Sequence, residues 1–272
     1  MNWKKKLAVM SVILGVFALS GTAVLAALYN TVDLEGASIQ TNWDLIDSGV
    51  TYQEKNLDHN QVVKPFLSTW TPSGTGHSLK FQHNPYTSSL VQRTEYYIAQ
   101  NQSFNNWRYV GYDFLIPAGT TLPVNWVIIT QFQQEGFYTN PIGDIELQNK
   151  NGNFNIGFSI RSEDYNQIDG VNGPGGYKLL VWDRSFSLNA WNKIVVGFKP
   201  NPAGNGEVKI WFNGQLQKEW TGKIGYPANY KNKPFTQTYQ NTFGIYRGAQ
   251  NNSLTIYFDN YKYGSTYNDV AN

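Results

Sequence analysis

Three short segments carry the side chains best suited to chemistry. They are "QRTEY" (92–96) with Arg93 and Glu95, "TQFQQ" (130–134) with Gln131 and Gln133, and "FGIYRG" (243–248) with Tyr246 and Arg247. Alternate residues of a strand face opposite sides. Val91, Arg93, Glu95 and Tyr97 therefore share a face, as do Val127, Ile129, Gln131 and Gln133, and Thr242, Gly244 and Tyr246. If the three strands are neighbours, a guanidinium, an amide and a phenol converge on one concave surface; a solvated outer face would give the same pattern. Arg247 follows Tyr246 and so points to the opposite side. Gly244 is unusual, because a glycine inside a strand packs nothing and often marks the close approach of a ligand or another backbone. A second constellation is Asp144 and Glu146, about 7 Å apart on one strand face, which suits the paired carboxylates of a glycoside hydrolase.

The elements that must position these groups are strands. Period-two segments bounded by Gly, Pro, Asn and Asp run through 77–82, 90–99, 108–116, 125–134, 144–150, 153–161, 177–184, 193–200, 206–220, 241–248 and 254–264, with no long amphipathic helix. Asn213-Gly214, inside the ninth, is a strong hairpin signal. So many strands without intervening helices predict an all-β fold, an antiparallel β-sandwich of jelly-roll (concanavalin-like) type.

Composition narrows the classes further. The chain opens with Lys4, Lys5 and Lys6 ahead of an apolar run closed by small residues, the layout of a secretory signal over residues 1–26. The apolar stretch is also near the length of about 20 residues that spans a bilayer. Ser20, Gly21 and Thr22 interrupt it, which favours the signal. The expectation is a secreted, extracellular single domain over residues 27–272, a monomer with no membrane association after cleavage. Cleavage removes three lysines from the formal charge of +2 and leaves 18 basic against 19 acidic residues. Such a balance offers no basic field for nucleic acid. The absence of cysteine excludes thiol nucleophiles and disulfide staples. The 9 Trp, 18 Tyr and 15 Phe suit a sheet protein with wet, aromatic-lined surfaces.

In their order and spacing, "GHSLKF" (76–81), "QRTEY", "TQFQQ", "WNKIVVGFK…GEVKIWFNG" (191–214), "FGIYRG" and "YFDNYKYG" (257–264) resemble the jelly-roll polysaccharide lyases. That group includes the glucuronan lyases, the heparin lyase I type and, more distantly, alginate lyases of the same fold. The resemblance implies an acidic polysaccharide partner, with Arg93 and Gln131 neutralising a uronate carboxylate and Tyr246 as the catalytic tyrosine. It implies that Gly244 makes room for a sugar ring, and that Glu95, Gln133, Arg247 and His83 stand near the substrate. Two departures bear on activity: the family's histidine two residues after the glutamine is Gln133 here, and the lysine four residues before the tyrosine is Thr242. Glu35 and Asp259, near the two ends of the domain, are similar in placement to the structural calcium site of many jelly rolls, since oxygen ligands suit calcium.

Elimination across C4–C5 of a uronic acid removes a carbon-bound proton beside a carboxylate, so the carboxylate charge must be met as it builds. Tyrosine has an ordinary pKa of about 10 and serves as base where a cation favours its phenolate. Two other classes compete. One is a non-catalytic carbohydrate-binding sandwich with Trp107, Trp126 and Trp182 stacking on sugars; the other is a hydrolase using Asp144 and Glu146.

Overall fold

A computed structural model describes residues 28–272 except 33, 36, 41–42, 48–49, 56–60, 137–139 and 169. The secretory signal expected over 1–26 lies outside the described residues. In chain order the strands are β1 Leu28–Val32, β2 Ser38–Ile39, β3 Leu45–Asp47, β4 Val50–Tyr52, β5 Val62–Ser68, β6 Ser78–His83 and β7 Tyr86–Ser103. Then come β8 Arg108–Leu115, β9 Val127–Gly136, β10 Gly143–Lys150, β11 Asn153–Ile160, β12 Gln167–Ile168, β13 Val171–Asn172 and β14 Leu179–Ser185. The last are β15 Asn192–Lys199, β16 Gly206–Phe212, β17 Gln215–Gly222, β18 Phe235–Gln250 and β19 Leu254–Gly264, followed by a short helix α1, Tyr267–Ala271.

Two antiparallel sheets stack as a jelly-roll sandwich. One has the order β17-β16-β15-β8-β19-β6-β5, with β1 added on β19; the other runs β14-β11-β10-β9-β18-β7. Every long strand expected from alternation forms. The 206–220 segment folds back at Asn213-Gly214, whose φ values of 48° and 77° are those a tight hairpin turn needs. The alternation over 28–68 is too broken to be read as strands, yet β1 to β5 form there, held by pairing to neighbours rather than by their own pattern.

Among the described residues the aromatic load divides between surface and core: no tryptophan is fully buried, while many Phe and Tyr side chains pack between the sheets. Phe132 of β9 meets Phe198 of β15 at 4.4 Å between ring centres, and Phe243 of β18 meets Tyr261 of β19 at 4.3 Å. Buried tyrosines satisfy their hydroxyls there: Tyr96 donates to the Trp43 carbonyl (2.9 Å) and Tyr261 to Asn241 Oδ1 (2.7 Å). An aromatic core of this size anchors the sandwich without disulfides and holds the six-stranded sheet as a firm floor for its outer face.

Candidate active site

The three segments singled out by chemistry are adjacent strands. β18 lies between β7 and β9, with Tyr246 opposite Arg93, Gly244 opposite Glu95 and Thr242 opposite both Tyr97 and Gln131. Asp144 of β10 continues the row beyond Gln131. Paired residues of antiparallel strands share a face, so this row lies on the side of the sheet away from the core.

At its heart is Glu95, which is fully buried. Its Oε1 accepts from Gln131 Nε2 and from Thr242 Oγ1 at 3.2 Å, and its Oε2 lies 3.5 Å from Arg93 Nε. The Arg93 guanidinium in turn lies 3.7 Å from the centre of the Tyr246 ring, and Trp126 meets that ring edge-on at 4.7 Å. Glu95 thus fixes the arginine and the glutamine, and the arginine fixes the tyrosine. A groove of about 660 Å³, lined by Trp126, Glu146, Gln148 and Asn149 among others, opens beside this group.

Two bulges shape the row. Strict alternation puts Val127 and Ile129 with Gln131, but the register of β9 against β10 shifts between Ile145 and Glu146, and Ile128 pairs with both Tyr246 and Glu146. Val127 and Ile129 join the core instead. The extra residue of a bulge flips the parity beyond it. The second bulge is at Gly244, with φ 142°. A Cβ there would meet the Thr94 carbonyl oxygen at 2.2 Å and Glu95 Cα at 2.8 Å. The space Gly244 leaves is therefore filled by the backbone of β7, and the sugar-ring explanation of this glycine is replaced by close strand approach.

One cation of this site was missed by sequence. The segment 53–55 runs along the edge of β7, with Lys55 N donating to the Glu95 carbonyl (2.6 Å) and Tyr97 N to the Gln53 carbonyl (3.0 Å). Lys55 is only 8 % exposed, and its ammonium lies 5.6 Å from the Tyr97 ring centre. Burial pushes its pKa down, opposed by the nearby Glu95 charge and reinforced by Arg93. Burial, aided by Glu95, also raises the Tyr97 pKa, which keeps that phenol protonated. No strand pattern marks 53–55, so nothing local signalled Lys55.

Several expected site residues stand elsewhere. Arg247 is fully buried on the opposite side of β18, its Nε donating to Gln92 Oε1 (2.7 Å) and Nη2 to the carbonyls of Asn84 (2.9 Å) and Asn252 (3.0 Å). His83 is fully buried in β6, in step with the core residues Leu79 and Phe81. Trp107 stacks on Tyr109 at 5.6 Å near Lys199 and Lys209, on the outer side of the other sheet. Trp182 packs on the core residue Phe212 at 6.1 Å. In each case alternation or sheet order turns the side chain away from Tyr246. Gln133 stays in the row, one pair beyond Gln131 and opposite Gln240. Glu35 is exposed with its carboxylate against Gly76, and Asp259 of β19 accepts from the Asn260 backbone N–H (2.7 Å).

Asp144 and Glu146 do face the groove side, but both are committed. Asp144 Oδ2 accepts from Arg161 Nη1 at 2.5 Å, and burial raises its pKa against the pull of Arg161. Glu146 accepts from Lys178 Nζ, from Ser159 Oγ at 2.9 Å and from Gln148 Nε2 at 2.7 Å. Carboxylates tied to cations and amides are poorly placed to exchange protons with a glycosidic oxygen, so the hydrolase reading loses its pair.

Comparison with known proteins bears on the fold and the family. The fold is similar to that of an endo-β-1,4-glucuronan lyase from the fungus Trichoderma reesei (TM-score 0.61, 16% identity, covering 90% of this chain and 98% of that one). It is also similar to alginate lyase vAL-1 from Chlorella virus (TM-score 0.58, 13% identity, covering 88% and 100%). No curated protein matches the sequence. The model of one family, described as polysaccharide lyase, matches residues 50–262. That span holds Lys55, the Arg93–Glu95 pair, Gln131 and Tyr246 together, and on it the chain belongs to the polysaccharide lyase family.

Proposed function

We propose that this polysaccharide lyase cleaves a 4-linked polyuronate, glucuronan-like or mannuronate-like, by β-elimination at the Arg93–Tyr246 site. The observation that carries the reading is the guanidinium of Arg93 against the ring of Tyr246, 3.7 Å from its centre, on a groove-bearing face. As a phenolate, Tyr246 takes the C5 proton of the uronate. The C–H electron pair forms the C4–C5 double bond as the C4–O bond breaks, and Tyr246 returns the proton to the departing oxygen. A phenolate at Tyr246 has a positive charge at its side, which favours that form. The amide of Gln131 has two N–H donors and spends one on Glu95, so the other is left for the substrate.

Substrate stereochemistry follows from the number of proton-carrying groups. In D-glucuronate and D-mannuronate the C5 proton and the C4 oxygen lie on the same side of the ring, within reach of one residue. In L-guluronate and L-iduronate they lie on opposite sides, and the histidine that would supply a second group is replaced by Gln133. Mixing the purified protein with a panel of polyuronates is expected to raise absorbance near about 235 nm, where the unsaturated uronate absorbs, with glucuronan or polymannuronate ahead of polyguluronate. Tyr246→Phe is expected to abolish product and keep binding. Efficient cleavage of polyguluronate, or product from Tyr246→Phe, would sink the mechanism.

Export and a structural calcium belong to the same proposal. The leader layout supports secretion, and among the described residues no helix is long and apolar enough to cross a membrane. Calcium takes six to eight oxygens. Glu35 follows β1, which pairs with the β19 strand that carries Asp259, but among the described residues no three His, Asp or Glu side chains gather. A calcium ion there would take its other ligands from backbone carbonyls and water.

A further inference from the structure

We infer that Lys55 is the cation that receives the uronate carboxylate, while Glu95 is the counter-charge that holds Arg93 against Tyr246. The inference rests on the lyase reading and names a residue that reading did not contain.

The argument begins with charge. Glu95 is one buried negative charge, and two cations face it, Arg93 from its own strand and Lys55 from the segment along the edge of β7. Arg93 is engaged twice, by Glu95 Oε2 at 3.5 Å and by the Tyr246 ring. Lys55 is different: among the described residues its ammonium has the Tyr97 ring and no carboxylate within ion-pair distance. A nearly buried ammonium without a hydrogen-bonded anion is costly in the free protein. Around Glu95 the described residues thus set two cations against one carboxylate, with Glu135 farther off beyond Tyr97, and the second cation matches the single carboxylate of a uronate residue.

Position supports the same role. Lys55 is aligned with Glu95 and Gln53 with Tyr97, so Lys55 shares the face of Arg93, Glu95, Gln131 and Tyr246. The lysine expected four residues before the tyrosine is Thr242, whose hydroxyl is given to Glu95. A lysine from a distant part of the chain stands on the other side of Glu95 instead. Around it are Glu95, Arg93 and Tyr97 of β7, while Glu135 of β9 acts on Tyr97 from beyond. Burial and Arg93 lower the lysine's pKa and Glu95 resists, so the charge that binds substrate is lost as pH rises through that lowered value.

The test compares the wild-type protein with Lys55→Met and Lys55→Arg on the polyuronate cleaved best, and on the same polymer after methyl esterification. Lys55→Met is expected to lower kcat/KM on the free acid by about 100-fold, the scale of losing one charge-stabilising donor. The ester, which has no carboxylate to bind, should not distinguish Lys55→Met from wild type. The melting temperature of Lys55→Met at neutral pH should be unchanged or higher, because a buried charge has gone, and Lys55→Arg should recover part of the activity. The wild-type rate should fall on a basic limb below lysine's ordinary pKa, and Lys55→Arg should move that limb upward. Wild-type kcat/KM in Lys55→Met overturns the inference, as does a loss of activity that tracks a lower melting temperature. If wild type itself produces no unsaturated uronate from any polymer, the lyase chemistry proposed above fails separately. Equal binding of polyuronate by wild type and Lys55→Met then overturns the role of Lys55, and tighter binding by wild type supports it.

Discussion

Arg93 and Arg247 lie on paired strands only a few residues apart in space, yet they do opposite work. Arg93 is 14% exposed in its side chain, bridges Glu95 and Tyr246, and faces the groove side. Arg93→Lys is expected to remove most activity with little change in the unfolding midpoint, because an ammonium cannot stack flat on a phenol ring while bonding a carboxylate. Gln131 and Thr242 would still hold Glu95. Near-normal turnover in that variant would remove Arg93 from the site. Arg247, by contrast, bonds only neutral oxygens, and burial lowers its pKa to about 10. Arg247→Ala would remove the arginine donors to Gln92 Oε1 and the Asn252 carbonyl and one of the two donors to the Asn84 carbonyl, at about 3 kcal/mol in urea unfolding. An unfolding free energy within experimental error of wild type would count against that account. The two arginines were separable in sequence by strand parity alone.

At the level of elements, β18 is the strand on which the site depends. It pairs with β7 on one side and β9 on the other, and its bulge sets four of its residues, Phe243 to Tyr246, against three of β9, Thr130 to Ile128. The bulge is possible because residue 244 has no side chain. Gly244→Ala is expected to cost at least about 2 kcal/mol, since it meets both a positive φ and the β7 backbone. It should reduce activity too, because Tyr246 is positioned by the same pairing. Gly214→Ala makes a control: its φ of 77° is strained for alanine, but nothing lies within 4 Å of the added Cβ. A cost near 1 kcal/mol with unchanged kinetics is expected. Equal effects of the two substitutions, by denaturant unfolding and by rate, would refute this reading of the bulge.

For the molecule as a whole, the ends of the domain meet where β1 pairs with β19, as Leu28 opposite Gly264 and Val32 opposite Tyr261. If calcium bound by Glu35 and Asp259 reinforces that closure, excess chelator should lower the melting temperature by mass action, and added calcium should restore it. Turnover at low temperature should survive, since the groove lies on the other sheet. A melting curve indifferent to chelator would dismiss the ion and leave strand pairing as the sole closure.

What the sequence determined by itself is what repeats at short range. Period-two alternation marked every long strand from β6 onward, Asn213-Gly214 marked its hairpin, and the short tags carrying Arg93, Gln131 and Tyr246 pointed to the polysaccharide lyase family. Parity even separated Arg247 from Tyr246. What only the tertiary structure decided depends on distance across strands. Alternation cannot see a bulge, so Ile128 and Ile129 exchanged sides, and it cannot tell a glycine beside a sugar from one beside a backbone. Nor can it tell an exposed face from a core face: His83 and Trp182 read as outward, yet His83 is fully buried and Trp182 packs partly buried against the core. Lys55 is the clearest case: it sits 40 residues from Glu95 in an unpatterned segment, and only the edge pairing of 53–55 with β7 brings it to the site. Electrostatic sites are assembled by sheet order, which long-range hydrogen bonding and core packing select together.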